Sequence, residues 1–153
     1  MIHKVIALNK LAKFDYSLLE VIEAGIVLTG FEVKSARLGG ISIRESHVGE
    51  MQGSGELYLF NANFPEYIHA TTMKQEPKRP RKLLLGRRQI NKLLGQVHRK
   101  GFTIIPVQMY FNEKGIIKIE IALAQGKNVV DKRETIKLRE WDREKHRVLK
   151  ASS

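Results

Sequence analysis

Hydrophobic and polar positions alternate with a period of two through much of this chain and recur at helical spacing in one stretch, predicting a mainly β molecule with helices at its margins. Residues 4–9, KVIALN, read as a first strand, and residues 10–16 as a short helical or irregular turn. From Leu18 to Leu28, Leu19, Val21, Glu23 and Gly25 alternate with Leu18, Glu20, Ile22 and Ala24, the pattern of a second strand in which Gly25 marks a bulge or a barrel corner. Thr29 and Glu32 then make the Ser/Thr-x-x-Glu pattern of a capping box, and Gly39-Gly40 a helix stop, so a short helix is expected over 32–38. Ile41 and residues 43–51 resume a strand-like pattern, Gln52-Gly53-Ser54-Gly55 has turn chemistry, and residues 56–63 supply the partner strand. Periodicity fails from Phe64 to Lys82, a stretch with Pro65, Pro77 and Pro80 that reads as a long surface loop. Ile90, Leu93, Leu94 and Val97 form an i, i+3, i+4, i+7 stripe over 86–100, predicting a helix that Gly101 ends and whose apolar side docks on the sheet. The clearest hairpin joins 103–111 to 116–124 through Asn112-Glu113-Lys114-Gly115, with Pro106 requiring an edge or a bulge. Five or six mostly antiparallel strands with marginal helices suggest a small closed barrel.

The pattern breaks at Gly126. Beyond it Val129, Val130, Ile136, Leu138, Trp141, Val148 and Leu149 are scattered among charges, too few to offset the entropy of ordering the segment. At 100° per residue Arg139, Arg143 and Arg147 share one helical face, with Leu138, Trp141, Val148 and Leu149 opposite. The expectation is a barrel domain over 1–125 and a basic tail over 126–153, disordered alone and helical against a polyanion.

Charge gives this division a direction. Lys and Arg number 27 against 16 Asp and Glu, a net charge of +11 that attracts nucleic acid or an anionic surface. No apolar run suggests a membrane-spanning helix, and the first residues lack the pattern of a secretory signal. Zero cysteines exclude disulfides and thiolate chemistry; a cytoplasmic location is the simplest. The five histidines show no metal-binding spacing, and no nucleophile elbow, phosphate loop or dinucleotide fingerprint is present. Glu20 and Glu23 are carboxylates that could in principle bind a metal for phosphodiester cleavage, but at i, i+3 they fall on opposite sides of a strand. No enzyme, cofactor or metal site is expected.

RNA binding is the stronger chemistry: Lys and Arg neutralise phosphates, and Tyr16, Phe31, Tyr58, Tyr67, Tyr110 and Trp141 are candidate stacking surfaces. Rings inside strands more often serve the core, a discount that applies less to Tyr16, which lies between predicted elements. The basic loop over 74–88 fits solvated charge or RNA contact equally well. Glu23 can accept from base amino or imino groups, orient a neighbouring cation, or simply sit on the surface; sequence leaves these open.

Four blocks in one order, ALNKLAKFDY at 7–16, EAGIVLTGFEVKSARLG at 23–39, PRKLLL at 80–85 and DKRETIKLREW at 131–141, resemble the SmpB family, the SsrA-binding proteins of bacterial trans-translation. The resemblance implies an OB-like antiparallel barrel with flanking helices that binds the tRNA-like domain of tmRNA and helps deliver it to stalled ribosomes. It implies a tmRNA surface of Asn9, Lys10, Tyr16, Glu23, Arg37, Leu84 and Lys118. It also implies that Gly126, Asp131, Lys132 and Arg133 act in the decoding centre against small-subunit rRNA, and that Trp141, Arg147, Val148 and Leu149 lie along the empty mRNA channel, where the Arg139 and Arg143 face can meet RNA. Elongation factor Tu in the delivery complex and a monomeric state belong to the same expectation. His47 stands where an aromatic residue is common in the family, a difference assigned to packing. The alternative is a generic OB-type ribosomal or single-strand RNA-binding protein.

Overall fold

The computed structural model describes residues 4–67 and 75–126. Among the described residues seven strands and three helices follow in the order β1 (Lys4–Leu8), α1 (Ala12–Asp15), β2 (Tyr16–Ile26), α2 (Gly30–Leu38), β3 (His47–Glu50), β4 (Leu57–Phe60), β5 (Arg81–Leu84), α3 (Arg87–Lys100), β6 (Thr103–Phe111) and β7 (Ile117–Gly126). The strands pair antiparallel in the order β1-β6-β3-β4-β5-β2-β7, and β7 returns to β6. Six strands thus form a barrel-like ring, with β1 added along β6. The ring is unevenly sewn: β2 and β7 pair from Tyr16↔Gly126 to Gly25↔Lys118, whereas β3 meets β6 at Val48↔Ile104 and β2 meets β5 at Gly25↔Leu84 and Ile26↔Leu83.

Local chemistry accounts for the helices. Thr29 Oγ1 accepts from the Glu32 amide at 3.2 Å and the Glu32 carboxylate accepts from the Thr29 amide at 2.8 Å, the reciprocal cap expected from the sequence; α2 starts at Gly30, two residues before the expected start. α3 ends where Gly101 adopts φ +66°, and its amide donates to the Val97 carbonyl at 3.1 Å, a left-handed cap that favours glycine. The hairpin turn is held by Asn112, whose Oδ1 accepts from the amides of Lys114 and Ile116 at 3.0 and 2.9 Å.

Two apolar clusters sit on the two sides of the strands. The larger fills the ring with Ile43, Leu57, Leu59, Leu83, Ile104, Met109, Ile119 and Ile121, each at most 1 % exposed, and α3 docks Ile90 and Leu93 into it. Burying each such side chain contributes roughly 1.5–3 kcal/mol. The smaller cluster, Ala12, Ile105, Ala122 and Ala124 with Tyr16, Leu18 and Val107 against it, lies under α1 on the outer face. Three register shifts, at Ile6, Leu19 and Val107, switch the alternation between these sides. The Leu19 shift puts Leu18 in the outer cluster while Ile22 and Ile26 pack against the inner one.

The structure corrects the sequence reading at several points. The long loop expected over 64–82 ends in a strand: β5 begins at Arg81, and Arg81 is fully buried. Residues 41–51 give only the four-residue β3 and an isolated Ser42↔Asn63 bridge, because the chain turns at Ile43–Ser46, where the Ser46 hydroxyl donates to the Ile43 carbonyl. At Pro106 the expectation of an edge or a bulge holds through its second alternative: the residue pairs with Ile121 of β7, and the register shifts beside it at Val107. Gly25 is the corner rather than the bulge, being paired with both Lys118 and Leu84.

Candidate RNA-binding surface

Register builds a face from residues distant in sequence. On the outer side of β1, β6, β7 and β2, Glu23 lies opposite Glu120, Glu120 opposite Gln108, and Gln108 opposite Leu8. One step along the ladder, Gly25, Lys118, Tyr110 and Val5 align in the same way. The Tyr110 hydroxyl donates to the Glu23 carboxylate, and the Gln108 amide donates to Glu120 at 3.4 Å. Burial, then the Glu23 hydrogen bond and the charges of Glu23 and Glu120, push the Tyr110 pKa well above the ordinary tyrosine value. The phenol therefore stays protonated and remains a donor throughout the physiological range. Glu20, on the other side of β2, pairs with Lys92 of α3 at 3.3 Å, so the two carboxylates do diverge as the alternation requires.

Leu84 borders this face: it is 53 % exposed and lies against Gly25, where an added Cβ would come within 3.1 Å of the Leu84 Cβ. Glu23, Lys118 and Leu84 are thus brought together around one corner of the ring. Asn9, Lys10 and Tyr16 gather at the other end of β2, seven residues from Glu23, roughly 20 Å along the strand. Asn9 ties this end down, its side-chain amide donating to the Pro106 carbonyl at 3.0 Å and its backbone amide to Val107 at 2.8 Å. Lys10 is exposed in the turn that follows. Tyr16 is the first residue of β2 and packs against the outer cluster, so it is a strand residue and not the inter-element ring that the sequence suggested. Gly126 ends β7 beside it, an added Cβ meeting the Tyr16 ring at 3.8 Å. Asn9 and Tyr16 also line a cavity of about 500 Å³ with Arg44 and His47; His47 stacks on Phe60 with centroids 5.4 Å apart, a packing contact as expected. Arg37 stands apart from both groups in chain position, exposed in the last turn of α2, where a cation complements the helix dipole. Asp131, Lys132, Arg133, Arg139, Trp141, Arg143, Arg147, Val148 and Leu149 lie outside the described residues.

Of the other candidate rings, Phe31 and Tyr67 stack on each other at 6.3 Å, and Tyr58 packs against Phe60 at the same separation. Two basic residues of the Pro-rich loop turn inward: Arg79 and Arg81 converge on Glu32, Arg79 at 2.6 Å and Arg81 at 2.5 Å. Arg81 also donates to the Ala62 carbonyl at 2.9 Å and stacks on Phe64 at 4.0 Å. Burial acts to raise the Glu32 pKa, but hydrogen bonds from Arg79 and the Thr29 amide and the charge of Arg81 hold it below the ordinary carboxylate value. Sequence reading found Glu32 only as a cap and missed Tyr110, Gln108 and Glu120 as neighbours of Glu23; the two-residue alternation marked their faces, but the bulges hid the register. Among the described residues no three His, Asp or Glu converge as metal ligands, and no helix is long and apolar enough to cross a membrane.

A mainly antiparallel β ring with marginal helices, carried in a strongly basic chain, defines a small protein suited to a folded polyanion. The chain belongs to the SmpB family: the model described as SmpB protein matches residues 6–151. It is 55 % identical over 148 residues to the SsrA-binding protein of Afipia carboxidovorans and 56 % identical over 148 residues to that of a Rhodopseudomonas palustris strain, covering 97 % of this chain and 93 % of each relative. It also resembles a solved chain reported under "tmRNA-SmpB: a journey to the center of the bacterial ribosome", with 42 % identity and a TM-score of 0.65, over 80 % of this chain and 84 % of that one.

Proposed function

We propose that this chain is a non-enzymatic RNA-binding adaptor of trans-translation, binding the tRNA-like domain of tmRNA and delivering it to stalled ribosomes. The SmpB family match over residues 6–151 carries the reading, and the likeness to a chain from a tmRNA–SmpB–ribosome study supports it. Asn9, Lys10, Tyr16, Glu23, Arg37, Leu84 and Lys118 contact tmRNA. Two clusters about 20 Å apart on one rigid sheet suit recognition of a folded RNA by shape. Residues 126–153 act separately: Gly126 and Asp131–Arg133 at the decoding centre, and the segment bearing Arg139, Trp141, Arg143, Arg147, Val148 and Leu149 along the vacant mRNA channel. The adaptor works as a cytoplasmic monomer in a delivery complex with elongation factor Tu.

Competition at physiological salt tests this reading. Labelled tRNA-like domain bound to the chain is expected to resist displacement by unstructured RNA of equal length and to yield to unlabelled tRNA-like domain. Equal displacement by both would replace the adaptor with a generic single-strand RNA-binding protein.

A further inference from the structure

Two carboxylates directly opposite each other on a sheet face repel, and Glu23 and Glu120 occupy such a pair in a chain of net charge +11. What stabilises them is informative. Each carboxylate receives a neutral donor from β6, Glu23 from the Tyr110 hydroxyl and Glu120 from the Gln108 amide, and each retains further acceptor sites. The two donors differ in how firmly they are held. Gln108 is half-buried, whereas Tyr110 is only 5 % exposed and sits on the central of three paired strands, between Lys118 and Val5 in the register. A long, exposed Glu23 side chain is thereby pinned at its end by a rigid group beneath it. An acceptor held in this way meets a hydrogen-bond donor without first losing its own rotamer freedom. Its charge repels phosphate, so what it meets is an N–H or O–H of the RNA.

We propose that Tyr110 is a positioning residue for RNA recognition: it does not touch the RNA, but aims the Glu23 carboxylate at a hydrogen-bond donor of the tRNA-like domain. This rests on the reading that Glu23 contacts tmRNA. Lys118, one register step away, supplies the cation beside this acceptor.

The test is a double-mutant cycle with the full-length chain and the tRNA-like domain, measured at several salt concentrations alongside thermal unfolding. Tyr110→Phe is expected to weaken binding roughly tenfold without changing the slope of log affinity against log salt, since no phosphate contact is lost. Adding it to Glu23→Gln should cost nothing beyond Glu23→Gln alone. Glu23→Asp, which withdraws the carboxylate from the hydroxyl and leaves the core intact, should reproduce the loss even if Tyr110→Phe disturbs folding. Full affinity in Tyr110→Phe or Glu23→Asp, losses that multiply in the double variant, or an altered salt slope would each overturn the positioning role. Failure of the wild-type chain to prefer the tRNA-like domain over unstructured RNA would overturn the function itself, and is read independently of any variant.

Discussion

Glu32 and Arg81 stand 49 residues apart in sequence and meet in the least forgiving place in the molecule. Arg81 is wholly buried, and its guanidinium is satisfied by Glu32, Ala62 and Pro77 together. A buried pair of this kind adds little net stability over apolar packing, but removing one partner leaves an uncompensated charge. Glu32→Gln is therefore expected to lower unfolding stability by about 3–5 kcal/mol at neutral pH, measured in urea. Its pH dependence has a definite sign. Because the folded pKa of Glu32 lies below the unfolded one, its contribution is complete above the unfolded value and is lost as pH falls through the folded value. The wild-type chain should thus lose more stability between neutral and acid pH than Glu32→Gln, and parallel pH profiles would contradict this account.

Arg81 also explains which elements were legible. β6, β7 and α3 place aliphatic residues at their core positions, so periodicity alone located them within a few residues, and the capping box located α2. β5 put an arginine at a core position just after Pro77 and Pro80, and its partner lay on a different element, so nothing local distinguished a four-residue strand from a loop. The candidate site failed in a different way. Alternation assigned Glu23, Lys118 and Glu120 to faces, but pairing across β2, β7 and β6 depends on two bulges, one beside Pro106 that the proline allowed for only as an alternative to an edge, and one at Leu19 that no residue announces. Gly25 was legible as a corner, and its reason is contact: β5 crosses so closely that a Cβ there would lie 3.1 Å from the Leu84 Cβ and 3.4 Å from its Cδ1. Gly25→Val should push β5 outward at the seam where it joins β2 and cost about 1–3 kcal/mol by overpacking. An unfolding midpoint equal to wild type would show that the seam yields freely.

At the scale of the whole chain, charge is shared between the two parts for which different work is proposed. Residues 127–153 hold nine Lys and Arg against five Asp and Glu, while residues 1–126 hold eighteen against eleven. The larger excess therefore stays with the ring, which also carries Asn9, Lys10, Tyr16, Glu23, Arg37, Leu84 and Lys118. Electrostatic attraction to tmRNA scales with the phosphates neutralised at the contact surface, so a ring that makes those contacts itself does not need the tail to hold the RNA. Removing residues 131–153 leaves β7 and its pairing with Tyr16 intact. Affinity for the tRNA-like domain is expected to remain within a few fold of the full chain, while peptide tagging on stalled ribosomes is abolished, if Asp131, Lys132, Arg133, Arg139, Arg143 and Arg147 act only after ribosome entry, as proposed above. Binding by titration and tagging in a reconstituted translation reaction measure the two separately. Parallel loss of both would mean that the tail belongs to the tmRNA-binding surface, and that ring and tail are one functional unit.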